Sequence, residues 1–162
     1  MNSKALSVGV EGSKVVLYFT HDYLSMTHSK NQYLKATAQA AREGGVEKLI
    51  AVCPIEYDLY YTEDYENPET ERLEAEQAAF DAFPNMVLLR PNLTFGDYSY
   101  FVRYLQQSVL NGTVSKDVAS DSDYTKYYPV HLDDLTTVMR EINSNYDEHK
   151  GKTYSVAGAD DL

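Results

Sequence analysis

The fold turns on Met86–Gly96, which reads Met-Val-Leu-Leu-Arg-Pro-Asn-Leu-Thr-Phe-Gly. Four consecutive apolar residues, Met86 to Leu89, run into Arg90-Pro91, and a turn with Gly96 and Asp97 follows. An unbroken apolar run of this length suits a strand covered on both faces, which is the habit of parallel sheets. Proline has no N–H to give to a ladder, so Pro91 marks where the strand stops.

Two earlier runs have the same character. Val15–Thr20 (Val-Val-Leu-Tyr-Phe-Thr) and Lys48–Val52 (Lys-Leu-Ile-Ala-Val) are short, apolar and rich in β-branched or aromatic residues. Between them Leu34, Ala38 and Ala41 form a helical stripe, with Ser29 or a neighbour as its cap and Gly44-Gly45 as its stop. Strand, helix, strand in this order predicts a right-handed βαβ unit. Asn67-Pro68-Glu69 opens a second helix, a cap followed by proline and an acid near the positive dipole end. That helix is expected to reach about Phe83, with Leu73, Phe80 and Phe83 on its inner stripe.

Asp97 or Ser99 should cap a third helix carrying Phe101, Leu105 and Val109 inward, stopped by Asn111-Gly112. Pro129–Asp134 leads into a fourth helix with Leu135, Val138, Met139 and Ile142 facing the core, and Gly151–Gly158 holds a final short strand. Residues 1–13, 54–67 and 113–128 read as irregular, the second of them acidic and tyrosine-rich. There is no internal repeat and no low-complexity linker. The expected architecture is one partial α/β domain over residues 1–162: the C-terminal part of a doubly wound, mostly parallel sheet.

Composition narrows the function. The 162 residues suit one domain that buries roughly two thirds of its unfolded surface. With 25 acidic residues against 14 basic ones, the net charge is −11. Phosphate backbones and anionic lipids are bound through Lys and Arg, so nucleic acid and anionic membrane surfaces are disfavoured as partners. The single cysteine, Cys53, excludes an internal disulfide and a thiolate metal cage. His21, His28, His131 and His149 share no ligand spacing, so no metal site is expected. No apolar run is long enough for a transmembrane segment. The first residues, Met-Asn-Ser-Lys-Ala-Leu-Ser-Val, lack a secretory core and an Arg-rich leader.

Four segments in order carry a family resemblance. Ala38–Val52 (Ala-Gln-Ala-Ala-Arg-Glu-Gly-Gly-Val-Glu-Lys-Leu-Ile-Ala-Val) resembles the helix–Gly-Val–strand stretch of atypical short-chain dehydrogenases. Ala82-Phe83-Pro84, then Arg90-Pro91 and Phe95-Gly96, resemble the family's "FP…RP…FG" run. Pro129–Asp134 and Gly151–Gly158 resemble its two later motifs, and the match spans most of residues 14–160. The chain thus resembles the atypical and extended short-chain dehydrogenases of the NAD(P)-binding Rossmann superfamily. Within it the likeness is nearest to the branch associated with mitochondrial respiratory complex I.

The resemblance also shows what is missing. A dinucleotide fingerprint needs a glycine-rich turn between a strand and a helix, so that helix-end amides meet the pyrophosphate. Gly9-x-x-Gly12 precedes a strand instead. The family's amino-terminal half is therefore expected to be absent, and NADPH or NADH to bind only if that half is supplied. Aligned on Glu76, the family's Tyr-x-x-x-Lys pair falls on Pro68 and Arg72. A literal match at Tyr146–Lys150 lies after the last expected helix and reads as chance.

No catalytic residue is assigned on this basis, and the resemblance implies a non-catalytic structural accessory subunit. Its setting would be the matrix side of the mitochondrial inner membrane, among other subunits of a large respiratory assembly. The alternatives are half of an NAD(P)-dependent oxidoreductase or epimerase, with its nucleotide-binding half on another chain, and a nucleotide-sensing regulator. Candidate cofactor-binding positions lie at strand ends: His21, Asp22, Cys53, Pro91, Asn92 and Leu93, with Cys53 near the family's catalytic serine. If the family's first strand is absent, Val15–Thr20 becomes a sheet edge without the lysines, prolines or bulges that protect edges. Val15, Leu17 and Phe19 are then candidate partner contacts, joined by Tyr57, Tyr60, Tyr61 and Tyr65 of the acidic loop.

Overall fold

A computed structural model describes residues 3–20, 29–54, 68–97, 99–112 and 128–158, in parts of the helices by backbone alone. The elements are α1 (Ser3–Val10), β1 (Val15–Phe19), α2 (Ser29–Glu43), β2 (Lys48–Val52), α3 (Pro68–Ala82) and β3 (Val87–Pro91). They continue with β4 (Thr94–Phe95), α4 (Tyr100–Leu110), β5 (Val130–His131), α5 (Leu132–Ser144), α6 (Tyr146–His149) and β6 (Thr153–Val156). Strands β1, β2, β3 and β6 form one sheet in that order, and every pairing in it is parallel. A separate parallel pair, β4 with β5, sets Thr94 beside Val130 and Phe95 beside His131. This α/β, mostly parallel architecture is the one expected. The small β4–β5 pair was not expected, since two-residue strands leave no periodic signal.

The pleat sends alternate residues to opposite faces. On the first face Leu49, Ala51, Cys53, Met86 and Leu88 pack with Leu34, Ala38 and Ala41 of α2 and Ala79 of α3, and Val10 of α1 joins them. On the second face Ile50, Val52, Val87 and Leu89 pack with Leu135 and Ile142 of α5 and Tyr146 of α6. Both faces of β2 and β3 are thus buried, which is why their sequences are almost continuously apolar.

Several stops follow the sequence. Gly45 closes α2 at φ 69° and Gly112 follows α4 at φ 65°, a conformation that costs glycine no steric penalty. Ser99 caps α4, its hydroxyl accepting the Val102 N–H at 3.3 Å. Pro91 is the last residue of β3, beside Val156 of β6.

Three expectations need correction. Residues 1–13, read as irregular, contain the helix α1. On α3, Leu73 is 46 % exposed, whereas Glu76, Ala79 and Phe83 turn inward. The inner stripe therefore includes a carboxylate and an alanine, which an apolar pattern cannot reveal. Val109 of α4 is 70 % exposed, because that helix stands outside the main sheet's two core clusters. The Phe101 and Leu105 side chains lie outside the described residues, as do Asn67 and most of the segments read as irregular at 54–67 and 113–128.

The literal Tyr-x-x-x-Lys match proves to be structural at its tyrosine. Leu49 has its N–H on the β3 side of β2, one residue before that ladder begins at Ile50–Val87. The Tyr146 hydroxyl accepts this N–H at 3.1 Å and donates to the Asn85 carbonyl, so it stands in for a missing strand residue. Lys48 Nζ lies 5.9 Å from the Tyr146 ring centroid and donates to the Asn143 carbonyl at 2.7 Å. These contacts pin the amino-terminal edge of the sheet to α5 and α6.

Burial pushes the Tyr146 hydroxyl above its ordinary 10.0, opposed by the hydrogen bond with Leu49. Tyr146→Phe strands a buried N–H and is expected to lower unfolding free energy by about 1–3 kcal/mol in urea titrations. The raised value also fixes a sign. Above pH 10 the unfolded tyrosine ionises while the folded one keeps its proton, so stability falls as pH rises from there. Tyr146→Phe should flatten that fall relative to the parent protein.

Candidate functional site

All four strands of the main sheet point their carboxyl ends to one edge, where open α/β sheets bind ligands. Thr20 follows β1, Cys53 and Pro54 follow β2, Asn92 follows β3, and Ala157-Gly158 follow β6. This edge is held by short backbone links. Thr20 N–H donates to the Val52 carbonyl, Cys53 N–H to Leu89, and Asn92 N–H to Val156.

The side chains at these ends are partnered with one another. Thr20 Oγ1 lies 3.2 Å from Cys53 Sγ as a hydrogen-bond donor, and Cys53 is buried. The Asn92 side-chain carbonyl accepts the Leu93 N–H at 2.8 Å, closing a local turn. Leu93 is buried, and its carbonyl receives the Val130 N–H at 2.8 Å, extending the β4–β5 pair by one bond. His131 caps α5 through Nδ1, which accepts the Asp133 N–H at 3.2 Å, and its ring meets Phe95 edge-on at 5.0 Å. Gly158 passes so close to Pro129 that an added Cβ would sit 2.0 Å from the Pro129 carbonyl oxygen.

One charged pair lies beneath the edge. Arg90, the penultimate residue of β3, makes a two-pronged ion pair with Glu76 of α3, Nε to Oε1 at 3.2 Å and Nη2 to Oε2. The carboxylate is 5 % exposed and the guanidinium 23 %. The planar fork matches the carboxylate geometry, so the pair sets both the spacing and the rotation of α3 on the sheet. Arg72 stands one turn nearer the amino end of α3, which is the end at the strand termini.

The structure therefore brings Cys53, Pro91, Asn92 and Leu93 to one edge, with Pro91 and Leu93 contributing buried surface and Asn92 only partly covered. His21, Asp22, Tyr57, Tyr60, Tyr61 and Tyr65 lie outside the described residues. Val15, Leu17 and Phe19 share a different surface, the second face of β1. Sequence reasoning missed Thr20 as a site residue. It ends the first strand as Cys53 ends the second, and the Phe19–Val52 register makes the two neighbours. Tyr146 and Lys150 sit at the opposite, amino-terminal edge, where Lys150 Nζ pairs with Asp147 at 3.0 Å.

A dinucleotide needs a glycine-rich turn between a strand and a helix, at the carboxyl edge of the sheet. Gly12, however, with φ 75°, precedes β1 at the far edge, so Gly9-x-x-Gly12 is in no position to cradle a pyrophosphate here. Among the described residues no group of three His, Cys, Asp or Glu could hold a metal ion, and no helix is long and apolar enough to cross a membrane. A polar groove between α2 and α3, lined by Lys35, Arg42 and Asp81, lies toward the amino-terminal edge and away from the crevice.

The fold is the Rossmann-like α/β fold found in NAD(P)-binding reductases, epimerases and dehydratases. A dTDP-glucose 4,6-dehydratase from Streptomyces venezuelae, solved with NAD, matches 99 % of this chain and 57 % of its own at TM-score 0.73 and 15 % identity. A triphenylmethane reductase from Citrobacter sp., solved with NADP(H), matches 99 % of this chain and 52 % of its own at TM-score 0.70 and 16 % identity. A Rossmann-fold NAD(P)-binding family protein from Shigella flexneri matches 99 % and 68 % at TM-score 0.60 and 14 % identity. This chain spans about half the length of the first two. No family model and no curated protein matches the sequence.

The Glu76–Arg90 pair can be tested by removing one partner or both. Glu76→Ala alone leaves a largely buried guanidinium uncompensated and is expected to cost roughly 3 kcal/mol. Glu76→Met combined with Arg90→Met should cost less than that single change, as read by urea unfolding of the three proteins.

Proposed function

We propose that this chain is the nicotinamide-side half of an NAD(P)-binding Rossmann-like domain, completed by a nucleotide-gripping half that lies outside these 162 residues. One observation carries the reading. The parallel order β1-β2-β3-β6 covers about half of the superposed NAD(P)-binding structures, and its carboxyl edge gathers Thr20, Cys53 and Asn92. We read that order as the part of a doubly wound sheet that starts at its fourth strand, beside the switch point where dinucleotides lie. Thr20 and Asn92 would line the crevice, and Glu76–Arg90 would hold the strand ends in place. The cofactor, when bound by the completed domain, would supply hydride chemistry.

The chain itself is proposed to be non-catalytic. Aligned on Glu76, its α3 carries Pro68 and Arg72 where the resembled family has tyrosine and lysine, so among the described residues α3 offers no pair of that kind. The narrower role is a dehydrogenase-like accessory subunit of mitochondrial complex I, on the matrix side of the inner membrane among other respiratory subunits. It rests on the four resembling segments alone, and the structural neighbours named above add nothing to it. Migration as a small free protein when a native extract is fractionated would remove it.

Binding measurements test the half-domain reading. The isolated chain should show no saturable NADH or NADPH binding below about 1 mM by calorimetry. The native complex, isolated through this chain, should bind one of the two nucleotides at micromolar concentration. Tight binding by the isolated chain, or none by the complex, would overturn the reading.

A further inference from the structure

His131 ends β5 and opens α5, and its two ring nitrogens have different neighbours. Nδ1 lies 3.2 Å from the Asp133 backbone nitrogen and 3.6 Å from Asp133 Oδ2. An amide N–H can only donate, so Nδ1 offers a lone pair and the neutral ring carries its single proton on Nε2. Nε2 faces the Gly96 backbone, where an added Cβ would lie 3.4 Å from it. The ring also meets Phe95 edge-on, its register partner across the β4–β5 pair. One imidazole thus caps α5 and braces the turn that leads from β4 to α4.

That cap exists only while the ring is neutral. Imidazolium carries a proton on both nitrogens and has no lone pair left to accept. A second proton therefore breaks the bond to the Asp133 N–H and sets two donors against each other. It also brings positive charge to the positive end of the α5 dipole. A new partner is at hand, because Asp133 Oδ2 stands on an exposed side chain beside Nδ1. Among the described residues Asp133 is the one charged group paired with the ring. Asp134 in the first turn of α5, Asp97 after β4, Arg103 on α4 and Tyr128 before β5 make no bond to it. His149 is built the other way. Its Nδ1 lies 2.9 Å from the Tyr154 hydroxyl, which can donate or accept, so that contact survives protonation.

We infer that His131 is a proton-sensitive latch between α5 and the β4–α4 unit. Neutral, it is closed; when the ring gains its second proton, Nδ1 turns from the Asp133 N–H to the Asp133 carboxylate and the latch opens. Histidine ordinarily changes charge between about pH 5 and 8, so mild acid is the stimulus. The element that responds is α4. It stands outside both core clusters, and among the described residues its main neighbour is β4. Strand β4 is itself two residues long and pairs with β5 alone, one residue of which is His131. The main sheet is buried on both faces of β2 and β3 and does not depend on this junction. The latch is independent of the nucleotide reading, since it needs no residue outside this chain and no cofactor.

Hydrogen exchange read by mass spectrometry tests the latch in the protein as isolated from its source. Labelling at about pH 7.5 and about pH 5.5 is compared after correction for the intrinsic exchange rate at each pH. The amides of Ser99, Arg103 and Val130, which bond to the carbonyls of Gly96, Ser99 and Leu93, should lose protection at least fivefold at the lower pH. Those of Cys53 and Leu88, which bond to Leu89 and Lys152 within the main sheet, should not change. Slow exchange of the carbon-bound imidazole protons, followed in the same samples, should give His131 the midpoint of that loss. His131→Asn keeps a side-chain acceptor at the cap but cannot titrate, so protection of the three amides should become independent of pH. His149→Asn should leave the pH dependence of the parent intact. The inference is overturned if the loss is absent in the parent protein, if it persists in His131→Asn, if it follows His149 instead, or if the main sheet loosens in step with it.

Discussion

A parallel sheet must be covered on both faces, because crossover connections bury its strands and their sequences become apolar throughout. Among the described residues, helices cover both faces of β2 and β3 but β1 on the first face only. The rest of the molecule follows from that allotment. The two middle strands supply the fully buried side chains Leu49, Ile50, Val87, Leu88 and Leu89, and β6 can afford a polar outer face. Among the strands of the main sheet, only β1 leaves large apolar side chains exposed.

The two ends of the sheet have separate tasks. At the amino-terminal end Tyr146 takes the place of a strand residue, bonding to Leu49 and Asn85 while Lys48 reaches the Asn143 carbonyl. That anchoring lets the carboxyl end consist of turns: the Thr20–Cys53 contact, the Asn92 turn and the close pass of Gly158 over Pro129. Between the two ends, Glu76–Arg90 fixes α3 against β3. A crevice at strand ends needs such a frame, since a site is only as well positioned as the elements behind it.

Much of this was legible from the residues. The three apolar runs became β1, β2 and β3, and Leu34, Ala38 and Ala41 are the buried stripe of α2. The Ser99 cap and the glycines after α2 and α4 fall where turn chemistry puts them. The α3 stripe was misread because its inner positions hold Glu76 and Ala79, and a buried carboxylate is recognisable only once Arg90 is beside it. Thr20 was passed over for the same reason, as its partner Cys53 lies 33 residues away. Tyr146 looked like an accident of spacing until the fold brought Leu49 to its hydroxyl.

Sequence alone determined the four strands of the main sheet, the helices α2 to α5, their parallel arrangement and the unprotected character of the first strand. Each depends on local composition: β-branched runs, glycine stops, and the absence of lysine or proline between Val15 and Phe19. The tertiary structure decided which polar groups are partnered, which helix covers which face, and that the apolar strip of β1 lies on the side α5 does not reach. Those outcomes depend on contacts between residues distant along the chain, and no local pattern encodes which surface a helix comes to rest upon.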